Sequence, residues 1–318
     1  QDYLLQAIKE TLGDYGITFD VWFSEYSLHA SGAVEKALNL LEKNGYAFIK
    51  DDALWFRSTA FGDDKDRVLR RSNGEVTYAA ADVAYLQNKL DRGFEQIIMI
   101  LGQDHHSYVQ RMKGIMEALG HNAANLDVPL YQLVTLKESG ELLRMSKRAG
   151  RMVTLHDIIQ TVGTDVARFF YLNRKADAHL EFDIDLAVKK TEENPVYYMQ
   201  YAYVRTKSII EKAYENSALQ NITAADFGIF TEREKLLLKK IMSLKTILNS
   251  ISKNYHTHLL TYYVLELAHE FHGYYASHRV VDGENVATSR SRLALVIVLQ
   301  KTFELCMELM GITCPEKM

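Results

Sequence analysis

Leu143-Arg144-Met145-Ser146-Lys147-Arg148-Ala149-Gly150 is the stretch on which the reading of this chain turns. Upstream, residues 130–136 form an apolar, β-prone run, and Lys137-Glu138-Ser139-Gly140-Glu141 supplies turn chemistry. Downstream, Thr154-Leu155-His156-Asp157 has the spacing of a capping box that opens a helix. The tetrad Met145-Ser146-Lys147-Arg148 therefore sits on a loop between a strand and a helix, where a lysine can close over phosphates. Taken alone, these four common residues read as a solvated basic turn.

Their company changes that reading. Gln96-Ile97-Ile98-Met99-Ile100-Leu101 is a continuous run that stops at Gly102, followed by Gln103-Asp104-His105-His106 and a helical pattern towards Gly120. This predicts a buried parallel strand feeding a helix. In open α/β sheets ligands lie beyond the carboxyl ends of the strands, so Gly102 would admit a ligand to the backbone and Asp104 would accept from a ribose. The plainer alternative makes Asp104 a helix N-cap and His105 and His106 first-turn surface residues.

Together these segments resemble class I aminoacyl-tRNA synthetases, in which a Lys-Met-Ser-Lys-Ser-type loop follows the last strands of a Rossmann domain. The resemblance narrows to the arginyl-tRNA synthetases. Phe61-Gly62-Asp63-Asp64-Lys65-Asp66-Arg67-Val68, Thr77-Tyr78-Ala79-Ala80-Ala81-Asp82-Val83-Ala84-Tyr85, Gly102-Gln103-Asp104-His105-His106 and Asn194-Pro195-Val196-Tyr197-Tyr198-Met199-Gln200-Tyr201-Ala202 look like that family's signatures, in its order. The match runs to the terminal Pro315-Glu316-Lys317-Met318. One family element is missing, because no His-Ile-Gly-His precedes the loop. Ala118-Leu119-Gly120-His121 mimics its letters but reads as a helix C-terminus with Gly120 as the left-handed cap. With Gln1 and not Met at its start, the chain is expected to be the C-terminal portion of a longer enzyme, inactive by itself.

Composition is compatible with this. At 318 residues two domains are expected, and 47% hydrophobic residues suffice for large cores. No apolar run approaches the ~20 residues needed to cross a bilayer, and there is no leader, so a cytoplasmic protein with no membrane partner is expected. Cys306 and Cys314 suggest neither a disulfide framework nor a zinc site. The net charge of -4 hides an asymmetry: from Pro195 onward, 14 Lys plus Arg face 12 Asp plus Glu. Arg233, Lys235, Lys239, Lys240, Lys245 and Lys253 recur along helices there. Such a stripe is ordinarily a solvated face; with the RNA partner the resemblance implies, a few of these cations become phosphate contacts.

Organisation changes near residue 190. Before it come a helix through Leu4 and Leu12, an extended stretch at 17–23, a helix at 33–42, and hairpin segments around Phe48 and Trp55 with an Asn73-Gly74 turn. Afterwards only helical periodicity is visible: Leu237, Ile241, Leu244, Leu248 and Ile251 share one face, Leu260, Val264, Leu267 and Phe271 another, and a last helix spans 293–310. Asn194 as N-cap with Pro195 at the first helical position marks the start of this bundle. The expected fold is a portion of an α/β Rossmann-type catalytic domain followed by an all-α helical-bundle anticodon-binding domain. The divisions are 1–142, a lysine loop with a helical connector at 143–190 (residues 156–173 and 182–185), and 191–318.

The resemblance implies arginine–tRNA ligase chemistry, using ATP with Mg2+, arginine and tRNA(Arg), by a monomer with no resident protein-bound metal. In-line attack at the α-phosphate develops negative charge, which a mobile ammonium can meet as it forms. Lys147 is the candidate, with Arg144, Met145 and Ser146 in its loop and Arg148 as an auxiliary. Gly102, Asp104, His105 and His106 match the ATP segment. Tyr78, Asp82, Gln103 and Glu25 match the arginine-binding positions, where carboxylates and planar acceptors suit a five-donor guanidinium. By residue type alone, Asp82 is a first-turn acid favoured by the helix dipole and Tyr78 a strand-end aromatic. Tyr198, Tyr201 and Arg205 share a helix face on which unpaired bases can stack, and the resemblance adds the terminal Met318; by spacing alone the tyrosines read as core. Two other readings are a non-catalytic RNA-binding module with a relic Rossmann portion, and a class I synthetase for another amino acid.

Overall fold

The structure is a computed structural model that describes residues 2–143 and 153–318. By packing, the chain divides into one unit of Gln1–Thr18 with Val134–Met318 and a second of Phe19–Leu133. The expected lysine loop, with Arg144, Met145, Ser146, Lys147 and Arg148, lies outside the described residues.

In the unit of Phe19–Leu133, α2 (Tyr26–Ala30) and α3 (Ala33–Lys43) precede an antiparallel sheet of β1 (Ala47–Lys50), β2 (Ala53–Phe56) and β3 (Arg67–Arg70). Lys50 pairs with Ala53, leaving a two-residue loop whose Asp51 and Asp52 both have positive φ. That is the backbone a tight hairpin needs to match strand twist. α4 (Tyr78–Asp91) lies against α3 and buries Ala80, Val83, Ala84 and Leu86. The run at 96–101 is less regular than its sequence implies. It forms two short pieces, β4 (Ile97–Ile98) and β5 (Leu101–Gly102), which pair in parallel with β6 (Leu126–Asp127) and β7 (Leu130–Tyr131) across α5 (His106–Ala118). Ile97 is buried, but Ile98 is 48% and Ile100 68% exposed, so the expected fully buried strand is half open. Residues 17–23, expected to be extended, form no strand and bend at Asp20. Gly120, with φ of 90°, ends α5 as expected: its N–H bonds Glu117 O and the next N–H reaches back to Met116 O.

The other unit begins with α1 (Asp2–Asp14), none of whose residues is buried. β8 (Val134–Glu138) and β9 (Glu141–Leu142) form a hairpin over Ser139 and Gly140, again both at positive φ. α6 (Leu155–Val162) opens with the expected capping box, Thr154 and Asp157 exchanging hydrogen bonds. α7 (Thr164–Leu172) follows. The expected helical connector is then interrupted, because residues 180–183 form β10 (Leu180–Asp183), parallel to β8 with Phe182 opposite Leu136. Phe182 is fully buried against Phe170 and Tyr171, and this burial on a sheet determines its state. Only Ile184–Ala187 (α8) is helical there.

α9 (Pro195–Tyr214) starts at Asn194, whose Oδ1 accepts from the Val196 N–H at 3.0 Å while its amide donates to Ala187 O and Lys189 O. α10 (Glu232–Asn254), α11 (His258–Ser277) and α12 (Val286–Met310) complete the bundle. The faces expected from spacing are the buried ones: Leu237, Ile241 and Leu244 on α10, and Leu260, Val264, Leu267 and Phe271 on α11. α12 begins seven residues earlier than its apolar pattern shows, capped by Asn285. One core continues from Leu136 to Ile312. Among the described residues, no helix is long and apolar enough to cross a membrane.

Candidate functional site

In the unit of Phe19–Leu133, the motif at 61–68 does structural work for the segment beside it. Asp63 is buried and bound by Arg67 Nε at 2.9 Å and Nη2 at 2.7 Å, and by Arg111 Nε at 3.2 Å. Burial opposes ionisation, but the two guanidiniums outweigh it and hold this carboxyl far below the usual range. Gln110 donates to Phe61 O, and a Cβ at Gly114 would lie 2.8 Å from Phe61 Cβ. Helix α5 is thus docked at close range.

At the start of that helix stand the expected nucleotide residues. Gly102 precedes a short 3-10 turn at Gln103–His105, and a Cβ on it would meet Asp104 Oδ1 at 2.6 Å, so glycine here already serves the neighbouring aspartate. The N-cap alternative for Asp104 does not hold: it caps neither the turn nor α5, and its side chain is 84% exposed. His105 lies edge-on to Tyr108, and His106 is the exposed first residue of α5. Gln103 has a buried Oε1, which finds no hydrogen-bond partner among the described residues.

Asp82 lies in the second turn of α4, not the first, and is half-buried. Burial, then the charge of Glu25, pushes its pKa up to about 6, with Arg111 and Lys89 opposing. It makes no hydrogen bond or ion pair among the described residues. Glu25 precedes α2, which packs on α4, and lies 3.9 Å from His29 Nε2. Tyr78 opens α4 with 87% of its surface exposed, so its ring is not drawn into the shielded environment of Asp82. Lys89, whose Nζ sits 4.1 Å over the Tyr85 ring, and Arg111 also face Asp82, and neither was expected from the sequence. For Lys89 a signal existed, since it lies two turns from Asp82 on one helix.

In the helical bundle, Tyr198, Tyr201 and Arg205 do share a face of α9. Tyr198 packs against the core, and burial raises its pKa. Arg205 donates to the Tyr201 hydroxyl and lies between two rings, its Cζ 5.0 Å from Tyr201 and 4.9 Å from Tyr275. His272 stacks on Tyr201 with centroids 5.7 Å apart; burial depresses its pKa, and its Nε2 has no hydrogen-bond partner among the described residues. Sequence spacing missed Tyr275 and His272, which come from α11, some 70 residues away. Beside Tyr275 a cavity of about 490 Å3 is lined by Lys212, Ser277, His278 and Arg279. The tail is tied to α9 by the ion pair of Lys207 with Glu316, while Met318 is 46% exposed. Of the basic stripe, Arg233, Lys235 and Lys240 are paired with Glu270, Glu232 and Glu266. Among the described residues Lys239, Lys245 and Lys253 carry no ion pair.

Parallel β-α-β pairing followed by a helical bundle with an aromatic and guanidinium row is the architecture of a class I aminoacyl-tRNA synthetase. The family model "tRNA synthetases class I (R), catalytic domain" matches residues 4–176, and the DALR anticodon binding domain matches 199–318. An arginine–tRNA ligase of Desulforamulus reducens is 46% identical over 99% of this chain and 56% of its own length. The structure of an arginyl-tRNA synthetase from Campylobacter jejuni superposes with a TM-score of 0.90 at 33% identity, covering 100% of this chain and 68% of that one. That of Thermus thermophilus arginyl-tRNA synthetase, at 21% identity, shares the fold with a TM-score of 0.82, covering 100% of this chain and 63% of its own. The chain belongs to the class I arginyl-tRNA synthetase family. It spans a little over half the length of the curated relatives it matches.

Proposed function

We propose that this chain is the C-terminal part of an arginine–tRNA ligase. The enzyme activates arginine with ATP to arginyl adenylate and transfers it to tRNA(Arg). The observation that carries the reading is Asp82: a half-buried carboxyl under the like charge of Glu25, with no bonded partner among the described residues. Such a group awaits a cation. A guanidinium would relieve the repulsion, and Gln103 Oε1 is a further buried acceptor without a donor among the described residues. A module kept only for RNA binding has no use for these two groups.

In this reading Glu25, Tyr78, Asp82 and Gln103 bind arginine. Gly102, Asp104, His105 and His106 meet the nucleotide, with the Asp104 carboxylate accepting from hydroxyls. Lys147, with Arg144, Met145, Ser146 and Arg148, supplies charge to the developing pyrophosphate. Mg2+ enters with ATP as part of the substrate. Residues 1–142 contribute to catalysis, 143–190 carry the lysine loop and connector, and 191–318 bind the anticodon through Tyr198, Tyr201, Arg205 and Met318. The protein acts as a monomer in the cytoplasm.

The test is arginine-dependent ATP–pyrophosphate exchange, run on this chain and on one carrying the upstream portion of the family. Exchange is expected only from the longer chain, and robust exchange from the 318-residue chain alone would overturn the division of labour.

A further inference from the structure

One face of α4 carries Tyr78, Asp82, Tyr85 and Lys89, at the helical spacing of four, three and four residues. Ala80, Val83 and Ala84, on the opposite side, are buried. The Tyr85 ring is stacked on Phe23 with centroids 4.5 Å apart, and Lys89 Nζ sits 4.1 Å over the same ring. Side chains of a helix lean towards its N-terminus, so an ammonium resting on Tyr85 is directed from Lys89 towards the turn of Asp82. Lys89 is half-buried and carries no ion pair among the described residues. Burial and then the charge of Arg92 depress its pKa, and Asp82 counters them. Two other charged groups face Asp82. Glu25, ahead of α2, repels it; Arg111 of α5 attracts it but is bound to Asp63 Oδ2 at 3.2 Å and lies over Tyr108. On the neighbouring β3, Arg67 is taken by Asp63 and Arg70 by Glu35 of α3.

We propose that Lys89 is a positioning residue for arginine recognition: resting on Tyr85, it is the resident counter-cation of Asp82 while the pocket is empty, and it keeps that carboxylate fit to receive a guanidinium. This rests on the arginine reading given above. A half-buried acid beside a like charge tends to take up a proton, and a protonated carboxyl offers a guanidinium no counter-charge. A neighbouring cation opposes that proton. It must not displace arginine as well, and an ammonium pinned on an aromatic ring meets both needs. Among the described residues Lys89 and Asp82 form no ion pair, so the lysine acts through space and leaves both carboxylate oxygens to the two-pronged bond that a guanidinium makes. Lys89 therefore sets the lowest pH at which arginine is held, and not the shape of the pocket.

The test is arginine calorimetry between about pH 5 and 8 on a chain carrying the upstream portion of the family, with the Asp82 carboxyl followed by NMR in the 318-residue chain. In the wild type, arginine affinity should fall as pH drops through about 6, where Asp82 takes up its proton. Lys89→Met, which keeps an apolar stem on Tyr85, should move both midpoints upward by about half a unit to one unit. Arginine should then bind about two- to fivefold more weakly than to the wild type near pH 6, and within about twofold of it near pH 8. Lys89→Arg, whose guanidinium also stacks on aromatic faces, should restore the wild-type profile. Should Lys89→Met fail to fold, Tyr85→Leu, which takes away the ring under the ammonium, carries the test and should shift the midpoints the same way. Midpoints that coincide with the wild type, or an equal loss of affinity at every pH, overturn the role of Lys89 and leave Asp82 as the arginine carboxylate. Arginine affinity that ignores Asp82→Asn is a different result, which overturns the arginine reading and the role of Lys89 with it.

Discussion

The carboxyl of Asp82 stands half-buried in the field of Glu25, and burial together with that like charge pushes its pKa up to about 6 from an ordinary 3.8. Between these values the folded chain holds a proton that the unfolded chain has released. Folding is therefore favoured by this group below about pH 4, and that contribution is lost as pH rises through about 6. Asp82→Asn should stabilise the arginine-free protein at pH 7 by on the order of 1–2 kcal/mol, with the gain gone near pH 4. In the complete enzyme the same change should weaken arginine binding by about 1.5–3 kcal/mol. Urea titrations at the two pH values and arginine calorimetry read both effects; equal arginine affinity would return Asp82 to a structural role.

Lys147 is assigned to charge that exists only during the reaction. In a chain carrying the upstream portion, Lys147→Ala should lower kcat far more than it weakens ATP binding, because an interaction made only in the transition state leaves ground-state affinity alone. Steady-state kinetics beside an ATP titration would separate the two, and an unchanged kcat removes this lysine from the mechanism.

Glu234 is 2% exposed at the start of α10, where it accepts from the Thr231 N–H at 2.7 Å, Arg292 Nε at 2.7 Å and the Tyr274 hydroxyl. Burial alone would raise its pKa, but the bonds from Thr231 and Arg292 more than compensate and hold it below the ordinary 4.5. Its contribution to stability is thus full above pH 4.5 and is lost as pH falls further. Glu234→Gln keeps the shape and leaves Arg292 without its counter-charge, so a loss of about 2–4 kcal/mol is expected at pH 7, shrinking in acid. Denaturant midpoints at pH 7 and pH 4 that move by the same amount would contradict this.

The helical half was legible because its signals are local. The one-face spacing from Leu237 to Ile251, the cap at Asn194 with Pro195, and the Thr154 and Asp157 capping box each specify a helix from neighbours within a few residues. What escaped depends on distant partners. Phe182 is a strand residue because Leu136, 46 positions earlier, lies opposite it. His272 and Tyr275 join Tyr201 and Arg205 across two helices, and residues 1–18 belong with the bundle through bonds such as Arg168 to Tyr15, 153 positions apart. The run at 96–101 has the composition of a buried strand, yet Ile98 and Ile100 are uncovered among the described residues. Composition reports what a strand can bury, not what lies on it.

The central claim is that the bundle chooses an arginine anticodon through Tyr201, Arg205 and the tail while phosphates supply general affinity. Its most direct measurement is a titration of the 318-residue chain with two tRNAs differing in anticodon, at several salt concentrations, repeated for Tyr201→Ala and for Lys239 and Lys245 replaced together. The wild type should prefer the arginine anticodon at every salt. Tyr201→Ala should abolish that preference with the salt slope nearly unchanged, and the lysine variant should weaken both tRNAs alike and flatten the slope by up to about one unit for each phosphate no longer neutralised. Equal binding of the two tRNAs by the wild type at all salts would contradict the claim and return Tyr201 to core packing.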